Sequence, residues 1–407
     1  METAINTEQT LDTALLVDVG DYVNLDVRRE DNSNEANGRE EADVIYNNGA
    51  TASGTLNFNK LQPHQAAFML AFGLGAVSTT AAGSGYAHTI IPIDNDVDEL
   101  RSNPSFTLAQ RIGQTINKRR FASGFVDSLS ITFAKDDWVK GSCSIKATGK
   151  YTDTVIEEDV TALDNVTELT LAANAVQGST AQERLDSVQV VRALVDGGYE
   201  FATVTAVSAA SPAVLTIASL GGLGDSITYK ILYAPTEPAW ATFPPRVSET
   251  PMRVSQACLY IGGAWDGSEF VGGKTIGAQL ESVEYSLQNN LSVLFTLCAG
   301  GKHAGSAFRE GRTQTIKLSR EMRDMLLQAY MSGNEYFGLR IVCEGAEFAT
   351  GHKFTLDLVF PRLGVLSAPI STNGKKVAEA GDLQVLQDTT YGSVIAVVKN
   401  EVSAYAA

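Results

Sequence analysis

Two stretches of this chain carry one pattern written in different residues. GTLNFNKLQPHQAAFMLAFGLG (residues 54–75) reads as a short alternating strand running into an apolar helix. QTIKLSREMRDMLLQAYMSGN (residues 314–334) repeats that shape 260 positions later. With this offset Leu56 and Phe58 fall on Ile316 and Leu318, and Lys60 falls on Arg320. Ala66, Ala67 and Leu70 fall on Leu326, Leu327 and Tyr330, while Val23, Leu25 and Val27 upstream fall on Val283, Tyr285 and Leu287. So long a period is not that of a solenoid repeat, and the match predicts a duplicated domain.

Elsewhere period-two alternation dominates. Leu129, Ile131 and Phe133 share one face of a segment whose other face is Ser128, Ser130 and Thr132; Cys143, Ile145 and Ala147 alternate likewise, as do Phe354, Leu356, Leu358 and Phe360. Such segments predict antiparallel strands with one packed and one polar face. Helical spacing stands out only twice. The first helix opens near Pro63, where a missing N–H does least harm. The second carries Met322, Met325, Leu326, Ala329 and Tyr330 and stops at SGN. Between the halves, from about Tyr151 to Pro235, short apolar runs alternate with turn residues and predict a small inserted all-β domain. The expected fold is therefore mainly β, with two tandem β-sandwich or barrel domains, each flanked by a helix. The expected limits are 15–150 and 250–400 for these domains, with the insertion and its linker at 151–240.

Composition narrows the functional classes. Acids outnumber bases 47 to 31, giving a net charge of −16, the wrong sign for a protein that holds nucleic acid by neutralising phosphates. No apolar run is long enough to span a membrane. The first twenty residues lack the basic start of a secretory signal, so folding in the cytoplasm is expected. The four cysteines (143, 258, 298 and 343) form no close pair, so they read as small buried hydrophobes, with no metal expected. The four histidines have no ligand spacing, and neither a GxSxG elbow nor a complete P-loop is present. Adjacent acids such as Asp136-Asp137 or Glu157-Glu158-Asp159 point in different directions on a strand or turn. No catalytic residue and no cofactor is expected.

Four further segments carry a resemblance: Tyr86-Ala87-His88-Thr89, Pro104-Ser105-Phe106-Thr107, the strand from Gly124 to Phe133, and Phe360-Pro361-Arg362. Together with the doubled strand–loop–strand–helix unit, they make the chain resemble the major tail tube proteins of long, non-contractile-tailed bacteriophages. The likeness covers roughly residues 15–150 and 250–400; the 151–235 segment departs from the pattern and looks like an added decoration domain.

The resemblance implies a structural virion protein that assembles into stacked rings, the tail tube through which DNA is delivered. Six domains make a ring in that family, so a doubled chain implies a trimeric, pseudo-hexameric ring. Its partners would be other copies of itself, a tape-measure protein inside, and tail-tip and terminator proteins at the ends. DNA would pass without specific binding, and no membrane is involved; the place would be the virion tail, after assembly in the host cytoplasm.

The polar spans 28–53 and 288–313 are expected to be mobile in the free subunit and to order against the next ring, as are the termini, 1–20 and 371–407. The named inter-ring residues are Arg29, Glu30, Asp31, Asn34, Glu40, Glu41, Arg309 and Arg312. Ser128, Ser130 and Thr132 read either as lumen-facing or as an ordinary solvated sheet face. An alternative of another class is a carbohydrate-binding adhesin of a virion, with Trp240 and Trp265 as candidate aromatics or as packing residues.

Overall fold

The computed structural model describes residues 2–35, 41–93, 103–113, 116–195, 197–222, 224–296 and 302–405. It is mainly β, with 55% of residues in strands against 9% helical, and its sheets are antiparallel. The chain divides into two compact units. One comprises Met1–Leu108, Phe121–Lys150 and Pro245–Ala407; the other comprises Ala109–Arg120 and Tyr151–Pro244.

The first unit contains β1 (Asn24–Asp31), β2 (Ile45–Phe58), α1 (Pro63–Leu74), β3 (Asn117–Ala134, in this unit from Phe121), β4 (Lys140–Ala147), β5 (Leu280–Gln288), β6 (Leu291–Leu294), β7 (Ser306–Arg309), β8 (Thr313–Glu321), α2 (Leu326–Gly333), β9 (His352–Ser367), β10 (Ile370–Asn373) and β11 (Lys376–Val385). One ladder runs β1–β2–β4–β3–β5–β8–β11–β9, antiparallel at every step. The order β1–β2–β4–β3 thus recurs as β5–β8–β11–β9, and in each set the second strand leads towards a helix.

A second ladder lies on the other side of the core: Gly75–Ala82, Gly85–Pro92, Ile395–Asn400, the first half of β9, Phe337–Ala349 and Ala257–Trp265. Leu129, Ile131, Phe133, Cys143, Ile145, Tyr285, Ile316 and Leu358 fill the space between, because alternation sends every second side chain inward.

The two helices differ in environment. PHQAAFMLAFGL is apolar all round, so α1 is suited to burial on every side, and all twelve of its residues are buried. Its N-terminal amides are met by side chains: the Gln65 carboxamide oxygen accepts from Gln62 N, and the Glu249 carboxylate accepts from His64 N at 2.7 Å. At its end Gly75 has φ +107°, and a Cβ there would strike Ile93 at 2.6 Å. In α2 only Leu327 is buried, with Tyr330 stacked on Phe337 at 4.4 Å between ring centres. Met322 and Met325 precede α2 rather than forming its first turn.

In the second unit, a four-stranded sheet (order Gly198–Phe201, Val188–Val195, Ser226–Tyr233, Ile156–Leu163) and a three-stranded sheet enclose a core of Leu215, Tyr229, Ile231 and Tyr233. Tyr233 gives its hydroxyl proton to Glu158 at 2.7 Å, and burial together with that carboxylate pushes its pKa up to about 12. A six-residue helix, Ala181–Asp186, is closed by a Thr180–Glu183 capping box. Sequence periodicity gave no sign of this helix.

Several expectations need correction. Within the 28–53 span, antiparallel pairing continues out to Asp31 and Ile45, so the described flanks are a β-ladder; residues 36–40 lie outside the described residues. The 371–407 span holds most of β10 and two further sheet strands, β11 and Ile395–Asn400. Cys258 is exposed, unlike Cys143 and Cys343, because it points outward on an alternating strand; Cys298 lies outside the described residues.

Candidate functional site

The ladder of eight strands has two open ends. β1 is paired along β2, and its other edge carries no strand among the described residues. At the far end β11 is lined first by the end of β9, up to Ser367, and then by β10. Beyond Leu363, which pairs with Phe337, the outer edge of that stretch carries no strand among the described residues either. Each edge presents a row of backbone donors and acceptors suited to another strand. Exposed apolar side chains accompany them: Tyr22 (42%) beside β1, and Leu366 (65%) and Ile370 along the β9–β10 edge.

Between the open ends runs a closed seam, where β3 meets β5. Leu129 faces Leu287, Ile131 faces Tyr285 and Phe133 faces Val283, all buried. Tyr285 donates its hydroxyl proton to Gln314 Oε1 at 2.7 Å, and burial raises its pKa. Asn289, fully buried, donates from Nδ2 to Gly73 O at 2.9 Å and Val126 O at 3.0 Å, tying the end of β5 to α1 and β3. Neither residue stands out in the sequence as anything but an ordinary strand or turn residue.

Past the seam the β6–β7 hairpin lies over the β3–β4 pair. Leu291, Val293 and Ala307 pack on Phe125. Leu291 N donates to Asp127 Oδ1 at 2.7 Å, Lys146 Nζ donates to Leu291 O at 2.9 Å, and Ala304 N donates to Thr148 O.

The residues singled out by sequence fall into separate places. Arg29, Glu30 and Asp31 lie on β1 opposite Asn47, Tyr46 and Ile45, all exposed. Asn34 and Glu41 are exposed near the hairpin tip, and Glu40 lies outside the described residues. Hydrogen bonds from Ser33 Oγ and N hold the Asp31 carboxyl below its ordinary range. The tip is closed by Asn32, a buried residue that the charge pattern hid. Its Oδ1 accepts from Asp43 N and Val44 N, and its Nδ2 donates to Asp43 Oδ1.

Arg309 and Arg312 are committed inside the chain. Arg309 donates to Asn103 Oδ1 at 2.8 Å, while Arg312 reaches Ile93 O and Leu74 O at the end of α1. Both therefore stabilise the fold, Arg312 through charge-assisted bonds to carbonyls at the helix end.

Ser128, Ser130 and Thr132 lie on the face of the ladder opposite the core, with Ser130 Oγ 3.1 Å from Ser142 Oγ. Thr55, Ser144 and Ser286 share that face, and the cross-strand order Thr132, Glu284, Lys317, Asp382 alternates charge sign beside them. The face is rich in hydroxyls and has no concentration of positive charge. Trp240 stacks under Arg120 at 4.7 Å in the second unit, and Trp265 lies at the end of a strand in the first. No group of three metal-ligating side chains occurs among the described residues, nor a helix long and apolar enough to cross a membrane. A scan against protein-family models and a search of curated proteins both find no match to this chain.

Proposed function

We propose that this chain is a self-assembling tube subunit, with two equivalent domains per chain and an inserted β domain, and that its tube is the conduit of a phage tail. The observation that carries this reading is the seam between β3 and β5. It joins the last strand of one four-strand set to the first strand of the other. The open β9–β10 edge is the last strand of the second set, and β1 is the first strand of the first. Repeating the seam between chains joins them head to tail, and a head-to-tail contact whose rotation closes gives a ring.

The ladders supply the register. Cys143 faces both Leu56 and Leu129; Leu383 faces both Ile316 and Val365. Val365 therefore holds the place of Leu129. Thr313 faces Gln288 and Ser53 faces Asn24, so Leu287 holds the place of Val23. The seam pair Leu129–Leu287 predicts Val365 opposite Val23 of the next chain, with Leu366 opposite Tyr22. Three chains of eight strands close a barrel of roughly 24 strands, wide enough to leave an open lumen.

The face bearing Ser128, Ser130 and Thr132 then lines the bore. Its hydroxyls and sign-alternating charges give a polyanion little to grip, and the net charge of −16 opposes phosphate binding. Arg29, Glu30, Asp31, Asn34 and Glu41 remain candidates for contacts between copies, whereas Arg309 and Arg312 are withdrawn from that set. The test is negative-stain electron microscopy at rising concentration: hollow tubes or stacked rings are expected, and discrete particles at every concentration, even with preformed tails as seeds, would contradict the reading.

A second reading, a carbohydrate-binding adhesin, draws on Tyr199 and Phe201, both exposed on an edge strand of the second unit. Glycan binding without polymerisation would favour it.

A further inference from the structure

The β1–β2 hairpin has an internal counterpart that shows where such a hairpin goes. With Leu56 set on Ile316, Ala307 takes the place of Asn47. The pairs Val293–Ala307 and Arg29–Asn47 then coincide, which puts Leu291 in the place of Val27. The β6–β7 hairpin does not project freely; it crosses the seam and is seated on the β3–β4 pair through Phe125, Asp127, Lys146 and Thr148. The β1–β2 hairpin meets its own chain through Ala50 N, which donates to Lys302 O at 3.0 Å, and through Arg28, which lies over the Phe295 ring at 4.4 Å. No strand pair seats its outer end among the described residues, and that end carries exposed Val44, Ile45 (67%) and Tyr46.

The corresponding seat exists at the other end of the ladder. Ile145 faces Val126 and Val385 faces Leu363, so Arg362 holds the place of Phe125 and Leu386 that of Lys146. There the Arg362 guanidinium lies over the ring of Tyr336 at 4.2 Å, and Tyr336 is half exposed (50%) beside Gly364. Leu366 adds an apolar margin to this platform. Alternation along β1 puts Val27, Arg29 and Asp31 on one side and Asp26, Arg28 and Glu30 on the other. The side in the place of Leu291 and Val293 therefore brings Val27 and the Asp31 carboxylate, with Arg29 between them, towards a site whose centre is a guanidinium.

We propose that the β1–β2 hairpin docks on the Arg362–Tyr336–Leu386 platform of the adjacent copy in the same ring, so that it is a lateral clamp rather than an axial contact between rings. This rests on the tube reading. It assigns the exposed apolar residues at both places a single occupant, a second copy of this chain. It also revises the expectation that residues 28–53 order against the next ring.

The experiment uses the full chain in a Cys258→Ser, Cys298→Ser background, which removes the exposed thiol and the cysteine outside the described residues. Assembled protein is treated with a short bismaleimide in two versions: Val27→Cys with Arg362→Cys for the clamp, and Tyr22→Cys with Leu366→Cys for the strand seam. The expected result is a covalent ladder ending at a closed trimer for both pairs, with neither single variant giving the trimer. A trimer from the seam pair without one from the clamp pair overturns the clamp and leaves the tube reading standing. Failure of both pairs in protein that elutes as an intact folded chain overturns the tube reading. A third version, Arg362→Glu, separates the clamp from a bystander role. It should lower ring yield at least tenfold and regain it with Asp31→Arg; unchanged ring yield would contradict the clamp.

Discussion

Leu129 and Leu287 face one another where β3 pairs with β5, and both are buried. Their pairing is a contact between two four-strand sets made within one chain. On the proposed tube reading it gives the geometry for pairing between copies, and it makes each open edge a stated residue pair rather than a generic sticky strand.

The seam depends on a polar lock. Asn289→Ala removes two bonds from Nδ2 and leaves Gly73 O and Val126 O buried without that partner. The expected loss is about 1–3 kcal/mol in urea unfolding of the whole chain. A shift below the error of the measurement would mean that the seam holds without it.

The helices should respond unequally. Leu70→Ala in α1 opens a cavity where every neighbour is packed and should cost about 2–5 kcal/mol. Met325→Ala beside α2 removes an exposed side chain and should fall within about 0.5 kcal/mol of wild type. Equal losses would show that α2 is covered in the free chain.

Near α2, Arg320 and Glu379 form an ion pair shielded from water, Nη2 to Oε2 at 2.7 Å, with Gln328 Nε2 bonding the other carboxylate oxygen at 2.9 Å. Glu379→Gln leaves the guanidinium without its buried counter-charge and should cost about 3–5 kcal/mol. Arg320→Met combined with Glu379→Leu should recover most of that loss. A double variant no better than the single would argue that packing, not charge, sets the cost.

Asp324 links this pair to the surface. Its bond from the Lys274 ammonium, with help from Leu326 N and Arg320, lowers its pKa from 3.8 to about 2. A depressed carboxylate contributes stability above its unfolded pKa and loses it as pH falls through the folded one. Denaturation midpoints should therefore drop as pH falls from the ordinary aspartate value of 3.8 to about 2, and Asp324→Asn should flatten that part of the slope. An unchanged slope would assign it to other carboxylates.

Much of this architecture was legible in the residues. Alternation placed Leu129, Ile131 and Phe133 inward, and Pro63 marked the first turn of α1, because both signals are local. What stayed hidden was set by partners far along the chain. The ladders place Leu287, not Val283, in the position of Val23, four residues from the alignment drawn on hydrophobic pattern alone. Apolar residues recur every second position, so the pattern cannot distinguish a slip of four. Arg309 and Arg312 looked like loop charges until residues more than two hundred positions upstream, Asn103, Ile93 and Leu74, supplied their acceptors. Asn32 and Asn289 are common turn residues whose importance comes only from burial.

The most direct test of the central claim is a helical cryo-electron microscopy reconstruction of the assembled protein, at a resolution that separates strands. The account predicts three chains per ring, with Val365 of each chain facing Val23 of the next and no unpaired edge around the lumen. Six chains per ring, or rings in which the β9–β10 edge remains open, would contradict it.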